Sequence, residues 1–162
     1  MHKRIILCGP AASGKDYLRK KLESRNFKYA VSYTTRPARQ GEIHGKDYYF
    51  IDETQASDMI ERGEFYEYVI FNGWLYGTTN SQWLQKDDEN IFIMTPTSIK
   101  NISADDRVQC FIIYTDIRID IRRNRLSDRQ MPGDSLERRI KADEQDFENF
   151  RDYDIRITNP DF

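Results

Sequence analysis

The stretch Gly9-Pro10-Ala11-Ala12-Ser13-Gly14-Lys15 decides the fold of this 162-residue chain. It follows a short apolar run, Arg4 to Cys8, that predicts a buried strand, and it opens a helical pattern from Gly14 to Ser24. Glycines let successive backbone N–H groups point into one concavity, and the helix N-terminus adds partial positive charge. The spacing G-x-x-x-x-G-K between a strand and a helix therefore predicts a phosphate-binding loop, with Lys15 at the β- and γ-phosphates of a nucleoside triphosphate.

The helical segment after this loop has two further features, an apolar face and an acidic residue next to Lys15. Leu18 and Leu22 lie one helical turn apart, which predicts the inward face of the first helix. Asp16 occupies the eighth position of the loop motif, where Ser or Thr ordinarily binds Mg²⁺. Asp16 is either a magnesium ligand or an acidic residue that favours the first turn of the helix.

Continuous apolar runs elsewhere in the chain predict further strands, and helical stretches separate them. This alternation predicts an α/β fold with a parallel sheet covered by helices on both faces. The predicted strands are Tyr29–Tyr33, Asn90–Met94, Val108–Tyr114 and Asp154–Thr158.

Two segments differ from this core. Residues 34–83 are rich in aromatics and carry the hairpin signal Asn72-Gly73, which predicts a small mixed or antiparallel insert. Residues 122–139 are polar and rich in arginine, and Met131-Pro132-Gly133 breaks the helix there before Asp134-Ser135 can cap a new one. We therefore expect residues 1–33, 84–121 and 140–162 to form the core and residues 122–139 to form a lid.

Composition limits the partners and the setting. The formal net charge is −2, which argues against strong non-specific attraction to nucleic acid. No apolar run approaches ~20 residues, and the four apolar residues after Arg4 are too few for a signal peptide. Cys8 and Cys110 lie in apolar runs and are expected to be buried free thiols. These features predict a cytoplasmic protein.

Four blocks downstream of the loop resemble the guanylate kinase family in order and spacing. Together they are specific, and the resemblance extends from the first strand to Asn159. The blocks are Ser32–Glu42, Gly45–Phe50, Gly63–Tyr68 and Tyr76–Thr78. The resemblance implies a P-loop core, an acceptor-binding insert and an arginine-rich lid.

The resemblance also implies an acceptor site for a guanine monophosphate. Arg36 and Arg39 lie three residues apart, and two guanidinium groups can bind one phosphate. Glu67 can accept hydrogen bonds from the N1–H and amine of guanine, unless it lies on the exposed face of its strand. The implied phosphate contacts are Arg36, Arg39, Tyr48 and Tyr76, with Ser32 close by in the same GMP site, and the implied base contacts are Glu67 and Thr78.

On the donor side, the resemblance implies that ATP binds with Mg²⁺. The expected ATP contacts are Gly9, Pro10, Ala11, Ala12, Ser13, Gly14, Lys15, Asp16, Arg125 and Asn159. Phosphoryl transfer needs positioning and positive charge, so the expected catalytic residues are Lys15, Arg36, Arg129 and Arg139. We expect Arg122, Arg123 and Arg138 to be solvated helix residues.

One family feature is missing. The third strand of the family normally ends in Asp-x-Asp, whereas this chain has Ile93-Met94-Thr95 there. Asp16 could replace part of the lost magnesium site, or ATP and water could hold the ion without it. A third interpretation is low activity or a changed acceptor.

The function predicted from the sequence is ATP-dependent phosphorylation of GMP or dGMP. One alternative is a kinase of ribose 1,5-bisphosphate, which resembles this chain at Gly14-Lys15-Asp16 and in lacking Asp-x-Asp. Another is a guanylate-kinase-like module that binds phosphopeptides without catalysis. We expect small-molecule substrates, no nucleic acid or membrane partner, and a monomer or homodimer.

Overall fold

The computed structural model describes residues 4–85, 90–129 and 134–162. They form two compact units, one made of the described residues within 1–29 and 88–162 and the other of those within 30–87. The strands are β1 Arg4–Cys8, β2 Lys28–Tyr29, β3 Tyr33–Thr34, β4 Tyr49–Phe50, β5 Phe65–Phe71, β6 Trp74–Thr79, β7 Asn90–Ile93, β8 Cys110–Thr115 and β9 Ile155–Ile157. The helices are α1 Lys15–Glu23, α2 Glu53–Glu61, α3 Asn80–Trp83, α4 Pro96–Lys100, α5 Ala104–Arg107, α6 Ile119–Ser127 and α7 Leu136–Phe147.

The first unit is built on a five-stranded sheet in the order β2-β7-β1-β8-β9. All of its strand pairs are parallel, and Ile6 pairs with Phe92 on one side and Ile112 on the other. These three side chains are completely buried, as expected when helices cover a parallel sheet. The predicted α/β class is confirmed, and β1 places the phosphate loop at the carboxyl end of the central strand.

The buried face of α1 differs from the prediction. Leu18 and Leu22 are only partly buried, whereas the Arg19 side chain is buried. The Arg19 guanidinium bonds Asp16 at 2.6 Å and Glu23 at 2.8 Å, and it lies 4.7 Å from the centre of the Tyr29 ring. These partners offset the cost of removing the cation from water.

The second unit is built on a four-stranded mixed sheet in the order β4-β3-β6-β5. Strands β5 and β6 form an antiparallel hairpin in which Phe71 pairs with Trp74. Its turn residues Asn72 and Gly73 both have positive φ, 52° and 85°. This is the geometry of a type I′ turn, so the hairpin predicted at Asn72-Gly73 is present.

Two predicted strands differ from the observed ones by more than one residue at an end. Tyr29–Tyr33 is not one strand, because Tyr29 pairs with Ile91 in the first sheet whereas Tyr33 pairs with Gly77 in the second. Val108 is exposed and caps α5, so the strand predicted from Val108 begins at Cys110 instead.

Several other expectations can be compared directly. Ser135 caps α7 by accepting a hydrogen bond from the Arg138 backbone N–H, as the sequence predicted for a new helix there. Cys8 and Cys110 are buried free thiols. The helix break at Met131-Pro132-Gly133 lies outside the described residues. Within the described ranges, no helix has the length and apolarity needed to cross a membrane.

Candidate active site

The phosphate loop runs between β1 and α1 in the first unit, and two of its glycines are needed for close approach. A Cβ at Gly9 would lie 2.1 Å from Thr115 Oγ1, so only glycine fits beside β8. Gly14 has φ of 91°, and a Cβ there would lie 2.7 Å from the Phe162 ring. The Ser13 and Thr115 hydroxyls share a hydrogen bond of 2.6 Å, which ties the loop to β8.

Lys15 lies in a desolvated position and folds back on its own loop. Its Nζ donates to the Gly9 carbonyl oxygen and, at 3.0 Å, to that of Pro10. The pKa of Lys15 is lowered to about 8, chiefly by burial; the charge of Asp143 opposes this shift, and the charges of Arg139 and Arg129 contribute to it. Arg129 and Arg139, which the sequence predicts to be catalytic together with Lys15, are therefore near enough for their charges to act on this lysine.

Arg125 connects the loop to the C-terminal segment. Its guanidinium donates to the Ala12 carbonyl at 3.0 Å and to the Pro160 carbonyl at 3.2 Å. Next to Pro160, the Asn159 side-chain oxygen accepts a hydrogen bond from the Asp161 backbone N–H at 3.0 Å. The structure thus brings Arg125 and the segment that carries Asn159 to the phosphate loop.

Asp16 is exposed and already paired in this structure. Arg19 donates to its Oδ1 at 2.6 Å and Lys20 to its Oδ2 at 3.1 Å. Burial alone would raise the pKa of Asp16, but these bonds hold it below its usual value. Among the described residues, no group of three or more His, Cys, Asp or Glu side chains could hold a metal. One carboxylate beside a triphosphate still fits Mg²⁺, which commonly takes one or two protein ligands and keeps water.

The stretch that replaces Asp-x-Asp has a structural role. Thr95 is the N-cap of α4, and its Oγ1 accepts a hydrogen bond from the Ser98 backbone N–H at 3.1 Å. Pro96 follows at the first helical position, where its missing N–H costs nothing. The end of β7 therefore starts a helix and presents no carboxylate at residues 93–95.

Two residues near the loop were missed by the sequence reasoning. Arg122, which we expected to be solvated, is buried, and so is Asp143 of α7. Asp143 accepts a hydrogen bond from the Ala11 backbone N–H at 3.0 Å. The signal was in the spacing, because Asp143 lies on the stripe of α7 that Ile140 and Phe147 define, three and four residues away.

In the second unit, Arg36 is the centre of the predicted phosphate contacts. Its side chain is buried, and its two terminal nitrogens bond the Glu42 carboxylate at 2.9 and 3.0 Å. Burial disfavours the charge, but the Glu42 bonds outweigh it and the pKa of Arg36 is raised. The Arg39 backbone N–H donates to the same carboxylate at 2.7 Å, so Glu42 orders both arginine positions.

The predicted tyrosines lie beside Arg36. The guanidinium carbon of Arg36 is 5.3 Å from the centre of the Tyr48 ring, and the Tyr48 and Tyr76 rings are 6.1 Å apart. The Tyr76 hydroxyl is buried, with no hydrogen-bond partner in the described part of the chain. Ser32 is buried in the same unit, and its carbonyl oxygen accepts a hydrogen bond from the Tyr49 N–H at 2.9 Å.

Glu67 lies on the inner face of β5. Its side chain is only 6% exposed. The next residue, Tyr68, is exposed and the one after it, Val69, is buried, as expected when side chains alternate between the two faces of a strand. In the register of the hairpin Glu67 lies opposite Thr78, which is also buried. The exposed-face interpretation of Glu67 is therefore wrong. A carboxylate and a hydroxyl on one buried face can recognise hydrogen-bond donors such as ring N–H and amine groups.

Comparisons with known proteins agree with this description. The profile of the family described as guanylate kinase matches residues 1–162. The guanylate kinase of Sus scrofa is 32% identical over 165 residues, covering 96% of this chain and 83% of that protein. That of Legionella pneumophila strain Paris is 34% identical over 167 residues, covering 97% and 78%. A crystal structure of guanylate kinase from Anaplasma phagocytophilum has a TM-score of 0.75 at 24% identity, covering 98% of this chain and 77% of that one.

A parallel sheet with a glycine-containing phosphate loop between β1 and α1 defines a P-loop protein of the α/β class. The family profile spans the whole chain, and relatives above 30% identity match nearly all of it. The chain belongs to the guanylate kinase family.

Proposed function

We propose that this protein transfers the γ-phosphoryl group of ATP to GMP or dGMP, giving ADP and GDP or dGDP. Family membership supports ATP-dependent phosphorylation of GMP. The observation that carries guanine recognition is the buried Glu67 carboxylate opposite Thr78. Guanine presents a ring N–H and an adjacent amine to such an acceptor, whereas the corresponding edge of adenine carries an unprotonated ring nitrogen.

The donor half of the proposed site is in the first unit. Residues 9–16 would hold the ATP phosphates with backbone N–H groups and the Lys15 ammonium. Arg129 and Arg139 would stabilise the charge of the transferring phosphoryl group, which is most of what catalysis requires in this chemistry. Arg125 and Asn159 would contact the nucleoside part of ATP. The support for Arg125 is its contact with Ala12 of the loop and with Pro160, next to Asn159, and the support for Arg129 and Arg139 is the influence of their charges on Lys15.

The acceptor half is in the second unit. Arg36 would bind the monophosphate together with Arg39, the Tyr48 and Tyr76 hydroxyls and Ser32. The planar fork of an arginine suits phosphate, and Glu42 keeps the Arg36 group oriented before the phosphate arrives. The buried Tyr76 hydroxyl supports the proposal, because a phosphate oxygen would supply the hydrogen-bond partner that the described chain does not.

We also propose that Mg²⁺ accompanies ATP and that Asp16 supplies a protein oxygen to it. Replacing Asp16 with serine should raise the magnesium concentration needed for half-maximal activity severalfold. The readout is a magnesium titration at fixed ATP, with Glu23→Gln as the control because Glu23 is a second carboxylate bonded to Arg19. An unchanged titration would leave Asp16 only as the partner of Arg19.

The wider setting follows the same proposal. The protein would act in the cytoplasm on ATP and a guanine monophosphate, as a monomer or homodimer and without nucleic acid. The net charge of −2 supports the absence of a nucleic-acid partner.

The test is ADP release by the purified protein with ATP and Mg²⁺, with GMP, dGMP, AMP and ribose 1,5-bisphosphate offered in parallel. Turnover restricted to GMP and dGMP is the expected result. Turnover with the sugar bisphosphate alone would contradict guanine recognition by Glu67. Absence of both turnover and ATP binding would point to a binding module instead.

A further inference from the structure

The guanidinium group of Arg36 has three of its five N–H donors bonded inside the second unit. Its Nη1 atom donates to the Pro37 carbonyl oxygen at 2.9 Å and to Glu42 Oε2 at 3.0 Å, and its Nη2 atom donates to Glu42 Oε1 at 2.9 Å. Glu42 therefore fills the fork between the two terminal nitrogens. The described part of the chain gives no acceptor to the other two donors, the Nε–H and the second Nη2–H, which lie side by side on one edge of the planar group.

The backbone of Arg36 is fixed as firmly as its side chain. Thr34 is completely buried, and its Oγ1 accepts a hydrogen bond from the Arg36 backbone N–H at 3.1 Å while donating to the Leu75 carbonyl oxygen at 2.8 Å. The guanidinium carbon lies 5.3 Å from the centre of the Tyr48 ring and 5.8 Å from that of Phe50. Because both ends of Arg36 are held, its unused edge has a defined direction.

Glu42 is itself held by more than Arg36. Its Oε2 accepts a hydrogen bond from the Arg39 backbone N–H at 2.7 Å, and its own backbone N–H donates to the Arg39 carbonyl oxygen at 3.1 Å. Burial alone would raise the pKa of the Glu42 carboxyl, but the bonds from Arg36 and Arg39 hold this pKa below its usual value. Displacing the carboxylate would break its bonds to both arginines, whereas the unused edge of Arg36 accepts an anion without breaking any.

We propose that Glu42 is a positioning residue that stays bonded to Arg36 when substrate binds and directs the GMP phosphate to the Nε–Nη2 edge. This inference rests on the proposed function, because it takes the phosphate of GMP as the ligand of Arg36. It adds the atoms that make the contact, two parallel N–H donors that match two oxygens of one phosphate. The opposing mechanism is a Glu42 carboxylate that occupies the place of the phosphate and leaves when GMP arrives.

The two mechanisms predict changes of opposite sign when the Glu42 charge is removed. A negative charge beside an anion site repels the anion, and a carboxylate that occupies the site competes with it, so both effects predict tighter GMP binding in Glu42→Gln. Positioning predicts weaker binding. The glutamine amide has one acceptor oxygen and a donor NH2 group, so it cannot fill the fork of Arg36 and no longer fixes the direction of the other edge.

The experiment is calorimetric binding of GMP and, separately, of ATP to the unchanged protein and to Glu42→Gln. The dissociation constant for GMP should rise roughly tenfold, the value of one charge-assisted hydrogen bond, and that for ATP should stay within about twofold. Glu64→Gln is the matched control, because it makes the same substitution in an exposed ion pair of the same unit, with Arg62 at 2.7 Å. Its GMP binding should not change. Unchanged or tighter GMP binding by Glu42→Gln would overturn the inference.

A double variant separates an effect through the Arg36 guanidinium from general damage to the turn at Arg39. Lysine has no planar fork, so adding Glu42→Gln to Arg36→Lys should weaken GMP binding by no more than about twofold beyond Arg36→Lys alone. If Glu42→Gln weakens binding by the same factor in both backgrounds, Glu42 acts on the turn and the inference is wrong. An unchanged protein that does not bind GMP would contradict the proposed function, whereas GMP binding that Glu42→Gln does not weaken would contradict the inference alone.

Discussion

Removing the Tyr76 hydroxyl tests whether this group binds GMP or stabilises the fold. It is buried, and the described chain offers it no hydrogen-bond partner, so it costs stability unless a ligand uses it. Tyr76→Phe should leave the free energy of unfolding unchanged or raise it by about 1 kcal/mol. The same change should raise KM for GMP by roughly fivefold, the value of one lost hydrogen bond. Thermal melts and steady-state kinetics check the two parts.

Tyr68→Phe is the control for this substitution. Tyr68 lies in β5 of the same sheet, but its side chain is exposed. Neither stability nor KM for GMP should change. If Tyr76→Phe lowers stability and leaves KM unchanged, the Tyr76 hydroxyl serves the fold and not the acceptor.

Glu67 carries the base specificity in this account. Glu67→Gln removes the charge and replaces one acceptor oxygen with a donor amide. A hydrogen bond to a charged group is worth about 1.5–3 kcal/mol, so kcat/KM for GMP should fall by roughly 10- to 150-fold while KM for ATP is unchanged. Glu64→Gln is the control, because Glu64 forms an exposed ion pair with Arg62. Equal losses in the two variants would argue against base recognition by Glu67.

Some residues could be assigned from the sequence, and others could not. Lys15 and its glycines stand in a motif whose geometry is fixed by strand, turn and helix. Arg122 and Asp143 stand in no such motif, and charged helix residues are usually exposed, so the spacing of Asp143 from Ile140 and Phe147 was a signal without a reason to bury a carboxylate. Their burial depends on contacts between α6, α7 and the loop, which are far apart in sequence.

The β5–β6 hairpin offers a stability test at the level of a single element. Gly73 has φ of 85°, a conformation that a residue with a Cβ adopts at a cost. Gly73→Ala should lower the free energy of unfolding by about 1 kcal/mol. Asn72→Gly is the matched control at the other turn position. Glycine adopts the φ of 52° there without a cost, so this variant should not show the same loss. Denaturant unfolding of both variants gives the comparison. Equal stability of the two would contradict the assigned turn.

For helices and strands, local sequence patterns predicted the kind of element better than the residues at which it begins and ends. The hairpin followed from Asn72-Gly73, and α7 followed from its cap at Ser135. The prediction of one strand over Tyr29–Tyr33 was wrong, because the two ends of this run pair with strands of different sheets. Such pairing depends on distant segments, and a continuous apolar run contains no sign of where it divides.

At the scale of the whole molecule, the proposed ATP and GMP sites lie in different units. Lys15 belongs to the first and Arg36 to the second. Lys15→Met should lower phosphoryl transfer by about 10³-fold or more, because it removes charge from the reacting phosphates. The dissociation constant for GMP should stay within about twofold. Calorimetry with GMP and a kinetic assay on the same preparation measure both.

Arg36→Lys is the converse test, because it changes the proposed GMP site and leaves the proposed ATP site intact. It keeps a positive charge but loses the planar fork, so GMP binding should weaken while ATP binding is retained. Loss of GMP binding in Lys15→Met would contradict the division between the units.

The overall α/β class was predictable from the sequence because continuous apolar strands alternate with helices. The arrangement of charges around the loop was not.

Phosphoryl transfer to GMP is tested most directly by identifying the products themselves. ATP, Mg²⁺, GMP and AMP are incubated together with the protein, and the nucleotides are separated and quantified. Phosphoryl transfer from ATP to GMP predicts that GDP appears in molar equivalence to the ATP consumed and that AMP remains unchanged. Consumption of AMP with no GDP formed, or no product at all from a protein that binds both ATP and GMP, would contradict it.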